Sequence, residues 1–77
     1  MDVHKLVKMA NNIGSFFAAD PDRNVALEGI AGHLKRFWDP RMRRQLLEWI
    51  DSGGSEGLDP IVLEAIQSRR ELIQPKA

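Results

Sequence analysis

The dipeptide Asp-Pro recurs three times in 77 residues, at Asp20-Pro21, Asp39-Pro40 and Asp59-Pro60, each time ahead of a stretch with helical apolar spacing. Aspartate at an N-cap accepts a hydrogen bond from a free backbone N–H of the first turn, and proline at the next position has a preset φ and no N–H to leave unpaired. Three such pairs predict three helix starts. Upstream of the first, Val3, Leu6, Ala10, Ile13 and Phe17 fall at alternating intervals of three and four, which adds a fourth helix with Asp2 as its cap and Lys5 and Lys8 on its polar side. The segments between the Asp-Pro pairs do not align residue for residue, so a recurring helix length is read here rather than a sequence repeat.

Apolar spacing then fills in the remaining helices. Leu27, Ile30, Ala31, Leu34, Phe37 and Trp38 mark the second, and Met42, Leu46, Trp49 and Ile50 the third. Ile61, Val62, Ala65 and Ile66 mark the fourth, whose pattern extends through Leu72 before Pro75 discourages further helix. The expected architecture is an all-α bundle of about four short helices, roughly 2–18, 21–38, 40–51 and 60–70, in one domain over 1–70. A partly helical tail over 71–77 follows. The core is predicted to hold Leu6, Ile13, Phe17, Ile30, Leu34, Trp38, Leu46 and Ile50. Short connections at 18–23 and at Asp39 favour packing between sequence neighbours. The run Ser52-Gly53-Gly54-Ser55-Glu56-Gly57 reads as a flexible loop that leaves the fourth helix freer. On the first helix Ala10, Gly14 and Ala18 form a shallow strip, read as a tight internal crossing ahead of a contact with another chain.

A chain this short is marginal on its own core, and small domains draw support from disulfides, metals or association. The sequence has no cysteine, which removes disulfides and thiolate metal sites and leaves association. Eleven basic residues balance eleven acidic ones, and the apolar fraction of 43% is that of a folded domain. No apolar run approaches the roughly 18 residues of a membrane span, so no membrane partner and a cytoplasmic location are expected.

Catalytic signals are sparse. His4 and His33 are too far apart for a helical i, i+4 metal pair, and the glycine loop lacks the spacing and the lysine of a phosphate cradle. No catalytic, cofactor-binding or metal-binding residue is assigned. The distinctive stretch is Lys35-Arg36-Phe37-Trp38-Asp39-Pro40-Arg41-Met42-Arg43-Arg44, where five basic residues and two aromatics bracket a helix-to-helix corner. Three readings stand for it: aromatics plugging the core beside a solvated basic face, with Arg44 pairing Glu48; a nucleic-acid patch, disfavoured by zero net charge; or a protein interface, whose binding energy concentrates on aromatics and arginine. The candidate interface residues are Phe37, Trp38, Arg41, Arg43 and Arg44. A helix starting at Pro40 brings Arg41 and Arg44 near one another and sets Arg43 at the border of the apolar side with Leu47.

Asn12-Ile13-Gly14-x-Phe16-Phe17, Pro21-Asp22-Arg23, Gly29-Ile30-Ala31-x-His33 and Phe37-Trp38-Asp39-Pro40-Arg41-Met42-Arg43-Arg44 together resemble the delta subunit of NAD-dependent formate dehydrogenase. The resemblance runs from about Val3 to the last helix, and the Phe-Trp-x-Pro-Arg-Met-Arg-Arg string is its most specific element. It implies a small accessory subunit of a soluble molybdenum- or tungsten-dependent complex. The larger catalytic and electron-transfer subunits would then carry the molybdopterin-type cofactor, the iron–sulfur clusters and the flavin. The role implied for this chain is assembly, cofactor insertion or stability of the catalytic subunit. The alternative is a free-standing helical interaction protein that self-associates, as a homo-oligomer in isolation, or binds nucleic acid through the Lys35–Arg44 corner.

Overall fold

The computed structural model describes residues 2–75; positions 1, 76 and 77, counted above in the domain and tail, lie outside the described residues. Five helices follow in order: α1 (Val3–Phe17), α2 (Arg23–Phe37), α3 (Pro40–Asp51), α4 (Pro60–Ser68) and α5 (Arg70–Ile73). No strand occurs among the described residues, and the all-α bundle is as expected.

The helix starts show where Asp-Pro acts and where it does not. Asp2 Oδ1 accepts from the N–H of His4 at 2.9 Å, and Asp39 Oδ1 accepts from the N–H of Met42 at 3.0 Å with Pro40 opening α3. Asp20-Pro21 does not start a helix. Asp20 instead accepts from the N–H of Asp22 at 2.8 Å, closing a turn, and Asp22 caps α2 by accepting from Asn24 at 3.0 Å. The second aspartate wins because the chain must first reverse direction after α1. Pro60 does open α4, but Asp59 makes no side-chain cap bond. Its backbone N–H donates to Asn11 Oδ1 at 2.9 Å, while Asn11 Nδ2 donates to the carbonyl of Gly57 at 2.7 Å.

That clamp corrects the picture of a loose fourth helix. The glycine loop turns at Gly53 and Gly57, with φ of 96° and 81°, and is pinned to α1 through Asn11 on one side. Leu58 is buried beneath it. Val62, Ala65 and Ile66 of α4 are wholly enclosed. Gly14 explains why α4 comes so close: a Cβ there would overlap the Val62 side chain, so the internal crossing is the correct reading of the small strip for Ala10 and Gly14, while Ala18 is exposed.

Packing is not simply between sequence neighbours. α2 lies against α1, α4 and α5, whereas α3 packs chiefly on α1, because the extended residues Trp38 and Asp39 carry the chain across the bundle. Of the predicted core, Leu6, Ile30, Leu34, Trp38 and Leu46 are buried, and Ile13, Phe17 and Ile50 are half-buried against it. The fourth helix ends at Ser68 rather than at residue 70. A break at Arg69 starts α5, and Ile73 there is 0% exposed, so residues read as tail close the core.

Candidate functional site

The α2–α3 corner divides the five candidate residues by the face each occupies. Phe37, last in α2, points outward and is 70% exposed, while Trp38, next in the chain, is 5% exposed and belongs to the core. Arg41 and Arg44 are exposed, and neither forms an ion pair among the described residues; the expected Arg44–Glu48 pair is absent. Arg43 is half-buried beside Leu47 and Leu46. Its Nη1 donates to the carbonyl of Ile73 at 3.0 Å, and its Nε is buried without a partner. This guanidinium ties α3 to α5 and is committed within the fold. Exposed for contact at the corner are thus Phe37, Arg41 and Arg44.

A second apolar surface adjoins the corner, and the sequence reading did not include it. α2 buries Ala26, Leu27, Ile30, Ala31 and Leu34 on one face, yet Val25, Gly29, His33 and Phe37 recur every four residues on another. Phe37 stacks at a tilt on His33 with ring centroids 4.6 Å apart, and His33 meets Phe17 edge-on at 6.3 Å. Phe17 covers Gly29, where a Cβ would overlap its ring, and Phe16 stands against Phe17 in a T-shaped pair at 5.1 Å. Phe16 itself is 76% exposed and Val25 50%. The end of α1 and the start of α2 enclose an open cleft of about 810 Å³ between Phe16, Phe17, Ala19 and Val25, with Asp20 and Glu28 at its edge. The four-residue recurrence on α2's second face was the available signal, masked by the stronger core pattern.

Three ion pairs among the described residues tie the helices together. Arg23 pairs with Glu64, Arg69 with Glu28, and Arg70 with Asp51, linking α2 to α4, the α4–α5 break to α2, and α5 to α3. The guanidinium hydrogen bonds from Arg70 and Arg23 hold the Asp51 and Glu64 carboxyls below their ordinary pKa values. Among the described residues no group of three or more His, Cys, Asp or Glu is placed to hold a metal ion, and no helix is long and apolar enough to cross a membrane. The arrangement offers apolar knobs, a cleft and unpaired cations, which is the chemistry of contact between surfaces.

The model of the NADH-dependant formate dehydrogenase delta subunit FdsD family matches residues 5–66, from the first turn of α1 to Ile66 in α4. No curated protein and no solved structure matches the chain.

Proposed function

The chain belongs to the family of NADH-dependent formate dehydrogenase delta subunits, and from that premise we propose that it is a non-catalytic accessory subunit that docks on the larger subunits of the enzyme. The observation that carries this reading is the family match across four of the five helices. The chemistry of the chain agrees with it. Iron–sulfur clusters are held by cysteine thiolates, and this sequence supplies no cysteine, so its donor set does not fit such a cluster. On this reading formate oxidation and its cofactors belong to the partners, and the role of this chain is to support assembly, cofactor insertion or stability of the catalytic subunit in the cytoplasm.

Docking runs through the α2–α3 corner. Phe37 supplies an exposed aromatic anchor, and Arg41 and Arg44 supply two cations with no partner among the described residues. On binding, the ring leaves water and the guanidiniums meet carboxylates of the partner. Truncating an arginine whose partner carboxylate is buried costs about 2–5 kcal/mol, whereas loss of a rim contact mainly slows association and changes salt dependence.

The test is the double variant Arg41→Glu/Arg44→Glu, with Arg43 left intact because it holds Ile73. Circular dichroism should show unchanged helix content. Co-purification with the larger subunits should fall at least about tenfold at moderate salt, a loss of about 1.4 kcal/mol, with a matching fall in formate oxidation by the assembled enzyme. A folded variant that co-purifies normally removes the corner from the docking surface. Failure of the unaltered chain to co-purify at all overturns the accessory-subunit reading.

A further inference from the structure

We propose that the outer face of α1 and α2, centred on Phe16 and its neighbouring cleft, pairs with the same face of a second copy of this chain about a two-fold axis. The pairing requires nothing of the larger subunits; its surface adjoins the α2–α3 corner and shares Phe37 with it, so pairing and docking compete for that ring.

The size of the patch is the first reason. Taking roughly 200 Å² for a phenylalanine, the exposed fractions of Phe16, Phe37 and Val25 leave on the order of 300 Å² of apolar side chain in water. Patches of about 300–600 Å² on a monomer are commonly functional. Doubled across a two-fold, that makes roughly 600 Å² of apolar centre, which a polar rim must bring to the roughly 1,000 Å² that a specific interface needs.

Self-complementarity selects the occupant. A two-fold contact demands that one face carry both members of every contacting pair, since residue i meets j and j meets i. This face carries both a knob and a hole: Phe16 protrudes beside the cleft of about 810 Å³ bordered by Ala19 and Val25. Its charge is self-complementary too. Asp20, at the edge of the cleft, lies just before α2, and Arg36, beside Gly32, lies near its end; neither forms an ion pair among the described residues. Antiparallel pairing sets the acidic end of each copy against the basic end of the other.

Gly32 adds an independent observation. A glycine inside a helix costs about 1 kcal/mol relative to alanine, and Gly14 and Gly29 offset that cost through contacts a Cβ would block. At Gly32 a Cβ would meet only the Arg36 guanidinium, at 3.9 Å, so the fold itself gives no reason for glycine there. It lies one residue before His33 on the strip, where a second helix could approach closely.

Sedimentation equilibrium of the purified chain should give a concentration-dependent monomer–dimer equilibrium that weakens with added salt. Phe16→Glu, folded by circular dichroism, should weaken it at least about tenfold. Arg36→Glu and Asp20→Lys should each weaken self-association when alone, and an equimolar mixture of the two should recover it, because only the mixed pair restores attraction at both ends. A chain that stays monomeric throughout overturns the proposal, even if Phe16→Glu abolishes co-purification, since the face would then serve a larger subunit. A dimer indifferent to Phe16→Glu, or no recovery on mixing, also overturns it.

Discussion

Gly14 and Gly32 are both helical glycines, and their surroundings give them opposite energetics. At Gly14 the added methyl of an alanine would strike Val62, a stiff β-branched residue with no exposed surface of its own. Overpacking of this kind costs about 1–3 kcal/mol, which exceeds the gain in helix propensity. Gly14→Ala should therefore lower the melting temperature. At Gly32 nothing obstructs the methyl, and alanine should stabilise the dilute monomer by about 1 kcal/mol. For a domain of this size that raises Tm by roughly 4–8 °C. Thermal melts at low protein concentration compare the two directly. A stabilised Gly14→Ala chain would show that α4 does not press on α1. Arg43 makes a similar point: of the three arginines that follow Pro40, the one at the apolar border bonds to the carbonyl of Ile73.

At the scale of elements, the four-residue α5 has the largest effect for its length. Such a helix is unstable alone, because nucleation fixes several residues for very few hydrogen bonds. It persists here because Ile73 is wholly buried among residues of the main core and because the Arg43 guanidinium and the Arg70–Asp51 pair hold it to α3. Ile73→Ala should cost about 2–5 kcal/mol, comparable to the roughly 3–5 kcal/mol that a core of this size supplies. Urea denaturation should show the chain largely unfolded or close to it. Leu72→Ala, at a half-buried position, should do much less. Equal effects at the two positions would mean that α5 is not seated as described.

For the whole molecule, the three ion pairs among the described residues lie at largely exposed positions, and exposed pairs contribute little each. Their signature is the direction of the pH dependence. Hydrogen bonds from Arg70 and Arg23 lower the Asp51 and Glu64 pKa values in the folded state. The unfolded chain therefore binds protons first as pH falls, so the stabilisation is present in full above the ordinary carboxylate range, about pH 4, and is lost below it. Urea midpoints should be flat from neutral pH to about 5 and should decline below about 4. The double variant Asp51→Asn/Glu64→Gln should show a shallower decline. An unchanged slope would mean that the pairs add nothing in solution.

The sequence by itself determined the all-α class, three of the four long-helix starts, the lack of a thiolate centre and the family. Each depends on local chemistry: cap and proline at adjacent positions, apolar spacing along a helix, and residue types present or absent. Tertiary structure decided what local chemistry leaves open. Whether Asp20 or Asp22 caps α2 depends on the turn that follows α1, and whether the glycine loop swings free depends on Asn11, nearly fifty residues away, reaching Gly57 and Asp59. The candidate site divided in the same way. Phe37, Arg41 and Arg44 lie on the surface, but helix periodicity does not say that Arg43 will find the carbonyl of Ile73, since that contact spans thirty residues of chain. Periodicity does set Phe16 off the apolar face that holds Phe17, but it does not reveal the cleft beside Phe16, because that cleft exists only where the end of α1 meets the start of α2.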